Sequence, residues 1–262
     1  MKKYIPILLS VIIISIIPFS YAQMFDEDIF PITKSAAMEE IIIDGKWSNL
    51  LEWKKSSHKL IQEEDSRINL RGAHYEDFLY FMIDNEKDYT LDTNSDKATI
   101  CIDTKNDKQE IPNENHFCFS VVLGNNQGSI FQGGSDFVMK NYYKKIKNVD
   151  GFLAVSKASG ENNRYSKVPH PVFEFKIPIE LIGRSDNYGF FVSVYESSSG
   201  KFYTWPENLR EGTFSMPPPY MWGNLISPDK TLPEFHLGIV LLLGIIPIIA
   251  ISYFRKNISF PV

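Results

Sequence analysis

The stretch Ile68-Asn69-Leu70-Arg71-Gly72, followed shortly by Phe78-Leu79-Tyr80-Phe81-Met82-Ile83, decides the fold class. In the first run apolar residues alternate with Asn69 and Arg71, the period-two pattern of a strand with one face in a core. The second run is apolar throughout, so both faces need cover, as at the centre of a sheet. Outward from this pair the same signals recur at residues 98–103, 116–123, 152–156, 172–177 and 188–196, separated by Gly, Asn and Asp. In 172–177, Phe173, Phe175 and Ile177 are predicted to point inward and Glu174 and Lys176 outward. Ile41-Ile42-Ile43 opens the series and leads into a turn at Asp44-Gly45. Residues 178–182 read as one short helix, with Pro178 in its first turn and Gly183 as its stop. Residues 159–171 read as a long exposed loop. The prediction is an all-β chain: a single antiparallel β-sandwich, immunoglobulin- or jelly-roll-like, over residues 40–230, with 23–39 as a lead-in.

The ends of the chain differ from its middle. The 262 residues carry 27 Lys+Arg against 32 Asp+Glu, a net charge of −5. Every acidic residue lies between Asp26 and Glu234, and only Lys2, Lys3, Arg255 and Lys256 are charged outside that span. The middle is therefore more acidic than the whole, and it would repel a phosphate backbone; nucleic acid is excluded as a partner. At the N-terminus Lys2 and Lys3 precede an apolar run and then Ser20-Tyr21-Ala22, the layout of a secretory signal over residues 1–22. The alternative is an uncleaved N-terminal anchor. Residues 237–254 are apolar and uncharged, roughly 27 Å long as a helix, which predicts one transmembrane span. Arg255 and Lys256 then place the tail 255–262 on the cytoplasmic side. Together the two ends predict an exported domain anchored to the outer face of the cell membrane.

Cys101 and Cys118 fall in adjacent predicted strands. If Ile100 and Ile102 face the core, Cys101 faces away, and the same holds for Cys118 between Phe117 and Phe119. Both sulfurs then lie on one side of neighbouring antiparallel strands, which predicts a disulfide in an exported chain. No CxxC, CxxCH or zinc spacing competes.

The order of segments resembles a family. Ile43-Asp44-Gly45-Lys46-Trp47 followed by Glu52-Trp53 is similar to the opening of family 9 carbohydrate-binding modules. The run from Leu70 to Phe81, with Tyr75-Glu76-Asp77 as its turn, resembles their hairpin. Residues 98–107 resemble the next strand and turn, Phe173 to Leu181 the late strand and helix, and Trp205 and Trp222-Gly223 the closing tryptophans. The resemblance spans Ile43 to about Leu225. It implies a β-sandwich of the broad group that includes DOMON domains, whose members bind sugars or haem b. Separately, Pro233-Glu234-Phe235, within 231–236 and just before the apolar span, resembles the PEF-type C-terminal sorting signals of archaeal surface proteins. That likeness implies a sorting transpeptidase as a partner; His236 stands where many such signals have Gly.

A sugar site needs flat aromatic faces and planar amides. Trp205, Trp222, Tyr203 and Tyr220, with Asn208, Glu207 and Asn224 as polar partners, are the candidates, placed in or beside loops stiffened by Pro206 and Pro217-Pro218-Pro219; the alternative is that Trp205 and Trp222 plug the end of the sandwich. Carbohydrate or a cell-envelope polymer is the expected partner, and a purely structural envelope protein is a further alternative. Haem b is the alternative cofactor, in an electron-transfer domain of the DOMON or ethylbenzene-dehydrogenase-subunit type, with His74, His170, Met82, Met139 and Met221 as conceivable ligands. Calcium is a possible ion, with Asp92, Asp96, Asp103 and Asp107 as hard donors. No HExxH, GxSxG or Walker loop is present, so no catalytic residue and no enzymatic activity are expected.

Overall fold

A computed structural model describes residues 28–231 except 64, 135–141 and 208–215. The signal segment, the Pro-Glu-Phe motif, the apolar span 237–254, Asn208 and Met139 lie outside the described residues. No helix among the described residues is long and apolar enough to cross a membrane.

Two sheets face each other. Sheet B has the order β2(Ser57–Gln62), β3(Arg67–Tyr75), β4(Phe78–Asn85), β10(His170–Pro178), β9(Leu153–Ser159), all antiparallel. Sheet A runs β1(Ile29–Pro31), β13(Gly223–Ile226), β11(Asn187–Glu196), β5(Lys97–Asp103), β6(His116–Val122), β7(Ser129–Gln132), β8(Lys144–Ile146), and β12(Lys201–Trp205) also pairs with β11. The seven strand signals read from the sequence are all strands, and β4 lies at the middle of sheet B as its double-sided apolarity requires. The helix forms over Ile179–Ile182, with Pro178 as its N-cap and Gly183 at φ 73° ending it.

Between the sheets lies the main core. Leu79, Phe81 and Ile83 of β4 and Phe173, Phe175 and Ile177 of β10 meet Ile100 and Ile102 of β5, Phe119 of β6 and Phe190 and Val192 of β11. The alternation predicted for β10 therefore holds on its inner face. On its outer face it needs correction: Glu174 points away from the core but is completely buried. Residues 36–56 lie over this face as a flap, packing Met38, Trp47 and Trp53 against Ala73, Tyr80, Met82 and Val172. The flap is clipped by Glu174. Its Oε2 accepts the backbone N–H groups of Asp44 (2.9 Å) and Gly45 (2.8 Å), and its Oε1 accepts the Trp53 indole N–H (2.8 Å). Gly45 is required there, since φ is 84° and a Cβ would sit 2.8 Å from the Lys157 nitrogen.

Three further expectations change. Ile41-Ile42-Ile43 joins no strand, because the flap carries these residues over the sheet face rather than along an edge; Ile42 is exposed. The supposed lead-in belongs to the sandwich: β1 pairs parallel with β13, and Phe30, Ile32 and Met38 are buried. Among the described strands every other pairing is antiparallel. The loop after β9 is not wholly exposed either. Asn163 is buried, donating its amide N–H to Asp84 Oδ2 (2.6 Å), beside His170, whose Nε2 lies 3.1 Å from Asp84 Oδ1.

The disulfide expectation is borne out. Cys101 and Cys118 are direct register partners on the outer face of sheet A and are bonded. Phe191, Trp222, Phe131, Tyr143 and Met216 pack around the bridge.

Two outcomes follow. Burial pushes the Glu174 carboxyl up to about 8, against the pull of its N–H donors. An acid whose pKa is raised on folding contributes stability that is fully present below its unfolded value near 4.5 and is lost as pH rises to about 8. Asp96, raised to about 6 by burial and by the nearby Asp88 and Asp92 charges, acts in the same direction. Urea midpoints of the wild type are expected to fall between pH 5 and pH 8, and Glu174→Gln to flatten that slope while lowering stability overall. A slope unchanged in Glu174→Gln counts against the assignment. For the disulfide, a sequence separation of 17 closes a loop worth roughly 3 kcal/mol in the chain-entropy model. Urea unfolding of Cys101→Ala/Cys118→Ala should show a loss of about that size.

Candidate functional site

The sequence-predicted aromatic candidates separate in the structure. Trp205 ends β12 and is 1% exposed, packed on Phe30 and Phe190. Its ring fills the space beside Gly223, where a Cβ would lie 2.6 Å from it. Tyr203 is buried on the same strand and donates its hydroxyl to Glu196. Trp222 is buried over the disulfide layer, stacked on Phe191 and donating its indole N–H to the Pro217 carbonyl (2.9 Å). A ring packed on its faces has none left for a ligand. Tyr220 differs: it is 53% exposed, and its backbone N–H donates to the Gln109 carbonyl.

Tyr220 thereby joins two loops at one end of sheet A, residues 104–115 after β5 and 216–222 before β13. At this end Gly189 of β11 pairs with both Asp103 and Asn224. A Cβ at Gly189 would sit 2.8 Å from Asp103 Cβ and 3.1 Å from Asn106 Oδ1, so glycine lets the loop lie against the sheet. Asn106, at φ 51°, donates its amide N–H groups to Asn187 Oδ1 and Asn224 Oδ1, both at 2.9 Å. With those oxygens occupied, the NH2 groups of Asn187 and Asn224 are the remaining donors of the trio. Asn106 and Asn187 were not among the sequence candidates; three asparagines far apart in the chain carry no pattern until the register aligns them.

The four aspartates proposed for calcium do not share one site. Asp96 precedes β5 and Asp103 ends it, about 20 Å away at a strand's rise per residue. At one end Asp96 accepts the backbone N–H groups of Asp92 and Ser197, with Asp88 nearby. At the other end Asp103 accepts the backbone N–H groups of Lys105, Asn106 and Lys108. Burial raises the Asp103 carboxyl, but His116 and those N–H donors outweigh it and hold it below its ordinary value. Asp107 is exposed, and ligand atoms of Asp103, Asp107 and His116 lie within 4.8 Å of one another. His116 was not a sequence candidate, because it follows Asp107 across a loop of no recognisable spacing.

Three of the conceivable haem ligands are engaged by the protein. His170 directs Nδ1 at the Val168 carbonyl (2.6 Å) and Nε2 at Asp84. The His74 Nε2 lies 2.9 Å from Ser227 Oγ and 3.4 Å from Asp229. Met82 is packed beneath the flap.

No family model and no curated protein matches the chain. Among solved structures it is similar to a family 9 carbohydrate-binding module from Caldicellulosiruptor kristjanssonii in complex with cellotriose, at 13% identity and a TM-score of 0.46, over 76% of this chain and 93% of that one. The same kind of module from that organism, in complex with glucose, matches at 12% identity and a TM-score of 0.46, over 76% of this chain and 95% of that one.

Proposed function

We propose that the chain is an exported, membrane-tethered binding module that holds a carbohydrate or cell-envelope polymer and does no chemistry on it. The observation that carries this reading is an exposed Tyr220 on the loop leading into β13, at the end of sheet A where Asn106, Asn187 and Asn224 are joined by their amides. A pyranose offers an apolar face to a ring and hydroxyls to planar amides, the two kinds of group this end of sheet A carries. The export and tether come from the charge-free apolar runs at the two ends, and Pro233-Glu234-Phe235 would present the chain to a sorting transpeptidase. Tethering raises the effective concentration of such a module at the surface, so a weak single site suffices for capture.

The test is retention of the purified chain on a panel of immobilised polysaccharides, with affinity measured for the best. Tyr220→Ala is expected to weaken binding about tenfold or more. Trp205→Phe, at a buried ring, is expected to lower the melting temperature and leave affinity unchanged. Binding that survives both Tyr220→Ala and Asn224→Ala, or a reversal of the two aromatic results, would overturn the site. No retention on any polysaccharide favours the structural-protein reading, and a Soret band in the absorbance spectrum favours haem.

A further inference from the structure

His116 is completely buried, yet its Nε2 has no hydrogen-bond partner. The nearest acceptor, Asp103 Oδ2, is 3.7 Å away, beyond hydrogen-bond reach. A buried ring nitrogen left in that state is unfavourable. The other nitrogen is well held: Nδ1 lies 2.9 Å from Asn113 Oδ1 and 3.3 Å from the Asn113 carbonyl. The Asn113 backbone N–H donates to Nδ1 at 3.0 Å and two Asn113 oxygens face the same nitrogen, so Asn113 holds the ring by Nδ1 in either tautomer. In the tautomer with the proton on Nδ1, directed at an Asn113 oxygen, Nε2 turns a lone pair toward Asp103 that an ion between the two would accept. That is the arrangement in which an outer acceptor fixes a metal-ligating imidazole.

The carboxylates complete the set. Asp103 and His116 are register partners on the outer face of sheet A, two residues along from the bonded cysteines, so their spacing is set by the sheet. Backbone N–H groups orient Asp103, and Trp222 closes one side with its ring edge-on to His116 at 5.8 Å. Asp107 reaches the cluster from the loop and is exposed, which gives an ion a route in. Lys108, on the same loop, turns its ammonium to the carbonyls of Trp222 and Gly223.

We propose that Asp103, Asp107 and His116 bind a single divalent first-row transition-metal ion, with Zn2+ as the occupant that this donor set favours. One imidazole and two carboxylates suit such an ion, whereas calcium takes oxygen donors. The ion would pair the orphaned Nε2 and pin the loop that carries Asn106, and the remaining coordination positions would face the solvent beside Asp107. This site stands independently of the sugar reading.

The full-length chain, stripped with a chelator, is titrated calorimetrically with ZnCl2 and in parallel with CaCl2. The expected result is one saturable zinc site, weakened about tenfold or more in Asp107→Asn and in His116→Gln. Asp107 is exposed, so its variant is expected to keep the wild-type circular dichroism, and it decides the matter if His116→Gln fails to fold. Absence of saturable zinc binding, wild-type zinc affinity in Asp107→Asn, or tighter binding of calcium than of zinc would each overturn the proposal.

Discussion

One buried carboxyl group organises the outer half of this protein. Glu174 sits on the face of β10 that a simple sandwich would leave to water, and its oxygens are occupied by three N–H donors from residues 44–53. Buried without those donors its oxygens would cost several kcal/mol, so the flap and this carboxyl group require each other. Once the flap is down, Trp47 and Trp53 are buried and Asp84 gains the Trp47 indole N–H as a donor. Arg71 then donates to the Trp53 carbonyl and the Tyr165 hydroxyl. Sheet B is therefore covered on both faces, which is why β4 is apolar on both sides.

Sheet A solves the same problem by different means. Its outer face is covered by the disulfide, Phe191, Trp222 and Met216, an apolar layer fixed by a covalent bond and by loops. The consequence for function is positional. Asp103 and His116 lie on the same two strands as the cysteines, so the bridge that locks the register of β5 and β6 also locks these two side chains opposite each other. The loops leaving that end of sheet A supply Asn106, Asp107 and Tyr220.

The parts legible in the sequence were those governed by short-range parity. Alternation located seven strands, and the same parity put Cys101 and Cys118 on one face. What parity cannot say is whether an outward residue meets water or another layer, and this is where the expectations failed. Glu174 reads as a solvated charge until the flap is seen to fold back over it. Trp205 and Trp222, near prolines and turn residues, read as loop aromatics, yet each is enclosed by partners distant in the chain: Phe30 and Phe190 for one, Phe191 and the disulfide for the other. The four aspartates looked like a cluster because they are close in number, but a strand between Asp96 and Asp103 turns sequence proximity into separation.

The motifs that resemble a family divide by what they hold in place. Asp44, Gly45, Trp53 and Glu174 form one hydrogen-bonded unit and are accounted for by folding alone. Gly223 is accounted for by the Trp205 ring that fills its missing side chain. Within Asp103-Thr104-Lys105-Asn106-Asp107, Asp103 shapes the turn by accepting three backbone N–H groups, and Asn106 joins the loop to β11 and β13. Asp107 differs from both, being exposed and making no hydrogen bond or ion pair among the described residues. Fold-level likeness does not specify a ligand. A carboxylate with no structural role, held beside a buried imidazole with an unused nitrogen, does restrict what can occupy that place. An occupant that suits both groups carries positive charge and accepts a nitrogen lone pair.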